Sequence, residues 1–136
     1  MKQLLIGFLV IALLLSCSKI EEGFLGEWEG KTERLNSIGE LVEVDISCII
    51  KSAVGNNRSI MLSVAGIDYE FEAIEEMDVL IYEDIPLNSD STIISYISGS
   101  AEILNDTILH FDHQLYALKN NALLYSDKEV LDMKRK

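Results

Sequence analysis

Proline is almost missing from this chain: Pro86 is the only one in 136 residues, and no low-complexity tract accompanies it. No composition shift marks a linker between domains, and a chain of this length has enough surface to bury for one core but not comfortably for two. Cysteine is scarce as well. Cys17 and Cys48 are the only two, so there is no disulfide framework to expect. Cys48 lies in an alternating apolar segment with few cations nearby and reads as a small buried hydrophobe, since a nucleophilic thiol wants an electropositive surrounding. Positive charge is short too: 11 Lys and Arg face 23 Asp and Glu, a formal net charge of −12. Nucleic acid is therefore not an expected partner, because binding phosphate backbones depends on clustered Lys and Arg. The plain reading of the acidity is solubility. The longest apolar run, residues 4–15, holds twelve residues, short of the roughly 20 that a membrane-spanning helix needs.

That short run is nevertheless informative by position. Met1-Lys2-Gln3 precedes it and Ser16-Cys17 ends it, and a positive start, an apolar segment of about 7–15 residues and a small residue at the cut make a secretory signal. Leu14-Leu15-Ser16-Cys17 resembles the bacterial lipobox. The resemblance implies cleavage between Ser16 and Cys17, with Cys17 diacylated on sulfur and acylated on its new amine. More than one acyl chain is needed for stable anchoring, at about 0.8 kcal/mol per buried methylene. Residues 1–16 are then a lipoprotein signal peptide, 17–23 a lipidated tether, and 24–136 a single domain. Loss of Lys2 takes the formal charge from −12 to −13. Lys19 with Glu21-Glu22 resembles the surface-export signal of Bacteroidetes lipoproteins, although Ile20 interrupts the usual run. The expected location is the outer membrane, lipid-anchored, either surface-exposed or facing the periplasm.

After the tether, period-two alternation dominates. Val42, Val44, Ile46, Cys48 and Ile50 share one face while Glu43, Asp45, Ser47 and Lys51 share the other, the pattern of a strand with one buried side. Turn residues fall between such segments at 54–57, Ala65-Gly66, Asn105-Asp106 and Asn120-Asn121, residue types that tolerate positive φ. The spacing predicts strands near 28–35, 41–52, 59–64, 67–74, 79–82, 92–98, 100–104, 107–111, 115–118, 122–125 and 129–134. Some of these are expected to merge, giving eight to ten. Helical periodicity of several turns with caps is absent, and 24–28 is too brief to count as a helix. The expected class is all-β: an antiparallel up-and-down barrel or sandwich.

Gly26-Glu27-Trp28 opens the first strand and resembles the entry motif of lipocalin-like domains. The resemblance, which extends to the small lipocalin-like lipoproteins of Bacteroidetes, implies that Gly26 turns the chain into a barrel whose end Trp28 closes. A basic residue from the last strand often lies over that ring, and Lys134 or Arg135 could supply it. On the residues alone, Trp28 reads equally as a core aromatic of an unrelated β-sandwich. A barrel of about eight strands is either filled by side chains or holds one small ligand, and the medium to large inward candidates Val42, Val44, Ile46, Ile60, Leu62, Tyr69 and Phe71 lean towards filled.

Catalytic chemistry is thin. His110-Phe111-Asp112-His113 is the one constellation of ligand or acid–base types. On a strand, His110 and Asp112 point one way and His113 the other, whereas zinc wants three or four convergent ligands. The favoured reading is an incidental surface pair, against a metal site or an acid–base dyad. No Gly-x-Ser-x-Gly, His-Glu-x-x-His, phosphate loop or Cys-x-x-Cys occurs. Glu75-Glu76, Asp78, Glu83-Asp84 and Asp90 lack calcium-loop spacing and read as a solvated acidic rim. The five tyrosines are a weak signal for a carbohydrate face, since tyrosine is common in strands for packing reasons. No catalytic residue, metal or cofactor is assigned. The expected function is a non-enzymatic, membrane-anchored envelope lipoprotein that acts as a binding or accessory module, with a small apolar ligand or an envelope protein as partner. The alternative is a structural or protein-interaction module, an inhibitor or assembly factor, with a filled core and no ligand.

Overall fold

Alternating segments separated by two-residue turns bury their apolar faces by pairing and then either packing as two sheets or closing on themselves, and the computed structural model shows the closed form. It describes residues 23–89 and 92–136. These form eight strands: β1 (Gly26–Leu35), β2 (Leu41–Ser52), β3 (Asn57–Val64), β4 (Ile67–Glu76), β5 (Val79–Ser89), β6 (Ile93–Leu104), β7 (Ile108–Lys119) and β8 (Ala122–Arg135). Each pairs antiparallel with the next, and β8 returns to β1 to close a barrel. The expectation of barrel or sandwich is thus resolved as a barrel. The signal peptide and Cys17 lie outside the described residues.

The turns explain the connectivity. Ala65-Gly66, Met77-Asp78, Asn105-Asp106 and Asn120-Asn121 all hold positive φ at both residues, the conformation whose twist matches that of a hairpin. Met77-Asp78 escapes sequence reading, because methionine is not a turn residue, yet it takes φ 49° and 64° there. Several short predicted strands are continuous. The segments 92–98 and 100–104 are one strand, β6, running through Gly99. A Cβ on Gly99 would lie 2.4 Å from the Asp112 carbonyl oxygen and 2.4 Å from the His113 Cβ. The glycine therefore marks a close approach of β6 to β7, not a break in the strand. Likewise 107–111 with 115–118 form β7, and 122–125 with 129–134 form β8.

The closing seams are short. β1 meets β8 only at Trp28↔Arg135 and Glu29↔Lys134, and β4 meets β5 only at Ile74↔Ile81, Glu75↔Leu80 and Glu76↔Val79. By contrast β1–β4 and β5–β8 are laddered along most of their lengths. Register places both seams at the Trp28 end. The barrel is therefore two four-stranded sheets zipped at one end and parted at the other.

The core fills the zipped end and the middle. Trp28, Cys48, Ile50, Ile60, Leu62, Leu80, Leu109, Phe111, Leu131 and Met133 are all at most 1 % exposed, each large aliphatic or aromatic side chain contributing about 1.5–3 kcal/mol on burial. The inward faces of β2, β3 and β4 follow the expected alternation through Ile46, Ile60, Leu62 and Phe71. Val42 departs from it and is exposed, because it sits above the level at which the two sheets still meet.

Candidate functional site

Gly26 and Trp28 shut the zipped end. Gly26 takes φ 124°, a conformation open to glycine but rarely to other residues, where the chain swings into β1. Trp28 Nε1–H donates to the Phe24 carbonyl at 2.9 Å. Of the C-terminal cations, Arg135 lies over the indole, its Cζ 4.2 Å from the ring centroid. The same guanidinium donates to the Leu25 carbonyl at 2.6 Å and the Gly23 carbonyl at 2.5 Å. The first described residues are thus tied down beneath the barrel floor.

Higher up, a polar chain crosses the interior. His113 is 2 % exposed, with Nδ1 2.9 Å from the Tyr82 hydroxyl and Nε2 3.0 Å from Glu129 Oε1. Arg34 donates to the other Glu129 oxygen. With Glu129 ionised, Nε2 carries the shared hydrogen, and in the neutral ring Nδ1 accepts from Tyr82. Burial alone would raise the Glu129 carboxyl, but the hydrogen bonds from His113 and Arg34 outweigh it and hold the group below its usual range. Burial works against the Arg34 cation too, and pairing with Glu129 more than offsets it. Burial pushes the Tyr82 phenol strongly up, reinforced by nearby Cys48, Asp112 and Glu129. Each group in this chain is satisfied by its neighbour, and the arrangement links β5, β7, β8 and β1 above the level where the β1–β8 ladder stops.

This corrects the surface reading of the histidine segment. His110 and Asp112 do face outward, where His110 Nδ1 lies 2.6 Å from Asp132 and Asp112 pairs with Lys128 at 3.6 Å. His113, in contrast, is buried in the relay. The opposed faces are as the alternation requires, and among the described residues no group of three or more His, Cys, Asp or Glu could hold a metal ion. Cys48 is buried, and burial pushes its thiol up to about 12; a thiol held protonated is a poor nucleophile.

The parted end forms a mouth. Between β1 and β8 lies a cleft of about 450 Å³ whose walls include Arg34, Leu41, Tyr69, Leu115, Tyr125 and Glu129. Beside it, on the β4–β5 side, a smaller cleft of about 250 Å³ is lined by Ile67, Tyr69, Leu87, Tyr96, Leu115 and Tyr125. The two share Tyr69, Leu115 and Tyr125. Around them the rim is apolar: Leu35, Ile38, Leu41, Ile67, Leu123 and Leu124 are all more than half exposed, an arrangement that marks interaction surfaces in soluble domains. The acids do not form one rim. Glu75 pairs with Arg58 at 2.7 Å near the zipped end, and Asp84 accepts from Ser98 and Tyr116 on the outer wall. Asp90 lies outside the described residues.

Set against known proteins, the chain has no match. No family model, no curated protein and no solved structure corresponds to it. The site is therefore read from its geometry. Three of the five tyrosines, Tyr69, Tyr96 and Tyr125, line the smaller cleft; Tyr96 also stacks on Tyr116 across β6 and β7 at 5.2 Å and 14°, and Tyr82 belongs to the buried polar chain. Sequence reading missed Arg34 and Glu129, which are 95 residues apart and carry no local pattern.

Proposed function

We propose that this chain is a non-enzymatic binding module of the bacterial envelope, anchored by lipid at Cys17, that engages its ligand at the parted end of the barrel. The observation that carries this reading is the apolar rim over two adjoining clefts, set at the end of the barrel opposite the one where Gly23 is held by Arg135. A body tethered at its floor presents its mouth away from the membrane. The lower barrel is filled by side chains, and the two clefts of the mouth lie above that core. The lipocalin-like resemblance agrees with this arrangement through Gly26 and Trp28, and the outer membrane is the location that the lipobox implies. The same filled core also favours the second reading, a protein-interaction module whose partner meets exposed strand edges.

Among the described residues the core falls within 24–133, so a secreted chain beginning at residue 18 carries all eight strands. Nile red added to that chain is expected to brighten on entering the mouth. Leu115→Asp and Tyr125→Asp should abolish the gain, while Val130→Asp, on the exposed flank, should leave it intact. Equal loss in all three, or no gain in the parent, would refute the mouth as the binding surface. In the full chain, Cys17→Ala should release the protein from the membrane fraction.

A further inference from the structure

Of the two seams, one is latched above its short ladder by an ion pair, and the other, among the described residues, carries only the inward ring contact of Phe71 with Tyr82, centroids 4.8 Å apart. Extending the register of Trp28↔Arg135 and Glu29↔Lys134 sets Arg34 opposite Glu129, and those side chains pair. Extending the register of Ile74↔Ile81, Glu75↔Leu80 and Glu76↔Val79 sets Glu72 opposite Glu83. Like charges directly opposite weaken a ladder: the ten-pair β1–β2 ladder carries one such pair, Glu33 opposite Glu43, whereas here the pairing has stopped after three pairs. Beyond it β5 is irregular, with register shifts between Tyr82 and Ile85 and between Pro86 and Asn88. β4 stays regular: residues 67–74 pair with β3 on one side, while 67–73 have no ladder partner on the β5 side.

A regular, unpaired strand edge is a template for one more strand, and both faces of this slot define what would fit. Inward lies the smaller cleft, with Tyr69, Leu87, Leu115 and Tyr125. Outward, Asp68, Glu70, Glu72 and Glu83 are exposed, and none of the four takes part in an ion pair among the described residues. Because side chains alternate faces along a strand, a segment with apolar residues on one face and basic residues on the other satisfies the cleft and the acids together. We propose that the β4 edge receives an extended segment of a partner protein in which basic and apolar residues alternate, added as a strand in the slot between β4 and β5. This rests on the parted end being the binding surface and adds the class of occupant. A second copy of this chain fits poorly, since it would bring a formal charge of −12 against the same acids.

The probe is a capped peptide of about six residues alternating lysine and valine, near the usual strand length, titrated into the chain beginning at residue 18. Binding is expected to protect backbone amides within residues 67–73 from hydrogen exchange. A glutamate–valine counterpart, and a lysine–valine peptide N-methylated at alternate amides, should each bind at least about tenfold more weakly, a difference of about 1.4 kcal/mol. Glu72→Lys supplies a cation opposite Glu83 from within the chain. That variant should protect the same amides without peptide and weaken peptide binding by about tenfold. Protection confined to β8, equal binding of the two charge types, or a concentration-dependent dimer that protects 67–73 by itself would each overturn the proposal. If the peptide fails while Nile red still enters the mouth, the slot is refuted and the parted-end reading stands.

Discussion

At the Trp28 end, β1 meets β8 and β4 meets β5 through backbone ladders; at the other end the same four strands stand apart, and one pair of them is joined by the side chains of Arg34 and Glu129. The zipped end is sealed by an indole, a guanidinium and a carbonyl that satisfy one another, with aliphatic side chains packed above them. The parted end has apolar residues in the open and polar groups in the interior. Alternation is similar at both ends, so it is not what separates them. What separates them is which residues fall opposite one another once the barrel has curled. The ladder of β4 and β5 ends before Glu72 would meet Glu83, and that of β1 and β8 ends short of Arg34 and Glu129, whose side chains pair instead. The zipped half thus holds both closing ladders, and the parted half leaves its clefts and apolar rim open.

The sharpest way to break this comparison is to truncate one aromatic at each end. Trp28→Ala, which empties the floor and removes the ring beneath Arg135, should cost about 3–5 kcal/mol, read as a fall in the urea midpoint at an unchanged slope. Tyr125→Ala, half-exposed at the mouth, should cost under about 1 kcal/mol by the same measurement. Equal losses would erase the distinction between the ends.

The relay sits at the boundary, and its effect should be intermediate and dependent on pH. Glu129→Gln removes the charge that both His113 and Arg34 contact, and should cost about 1.5–3 kcal/mol at neutral pH, the range for hydrogen bonds to charged groups. A carboxyl whose folded pKa is lowered stabilises the fold above its unfolded value, here near 4.5, and that contribution fades as pH falls through the lower folded value. The gap in stability between parent and Glu129→Gln should therefore be full at pH 7 and shrink progressively below about pH 4.5. A gap that stays constant in acid would show that Glu129 acts through packing and not through its charge.

The smallest effect belongs on the rim. Leu123→Ser, at a side chain 64 % exposed, should change stability by no more than about 0.5 kcal/mol while lowering Nile red binding if the rim takes part in the site. A large loss of stability there would mean that the parted end is a second core and not a binding surface.

Much of the wall is legible in the sequence. The alternation through 41–50 and 60–73 set the inward faces, and glycine and asparagine marked three of the four turns in which both residues take positive φ. These are local properties, because side-chain direction in a strand and tolerance of positive φ depend on a residue and its immediate neighbours. Gly26 and Trp28 at the head of the first strand, and the cations at the end of the last, were also visible, since short motifs and chain ends can be read in place.

The continuity of β6 through Gly99 was not legible, because a glycine that permits a close approach looks the same in sequence as one that ends a strand. Nor was the relay: Tyr82, His113, Glu129 and Arg34 sit on four strands, and only register brings them within hydrogen-bond distance. The sequence by itself determined an all-β chain, its inward faces and most of its turns. Tertiary structure alone decided that the sheet closes fully at one end and parts at the other, because cross-strand opposition between residues far apart in the chain exists only after the barrel has formed.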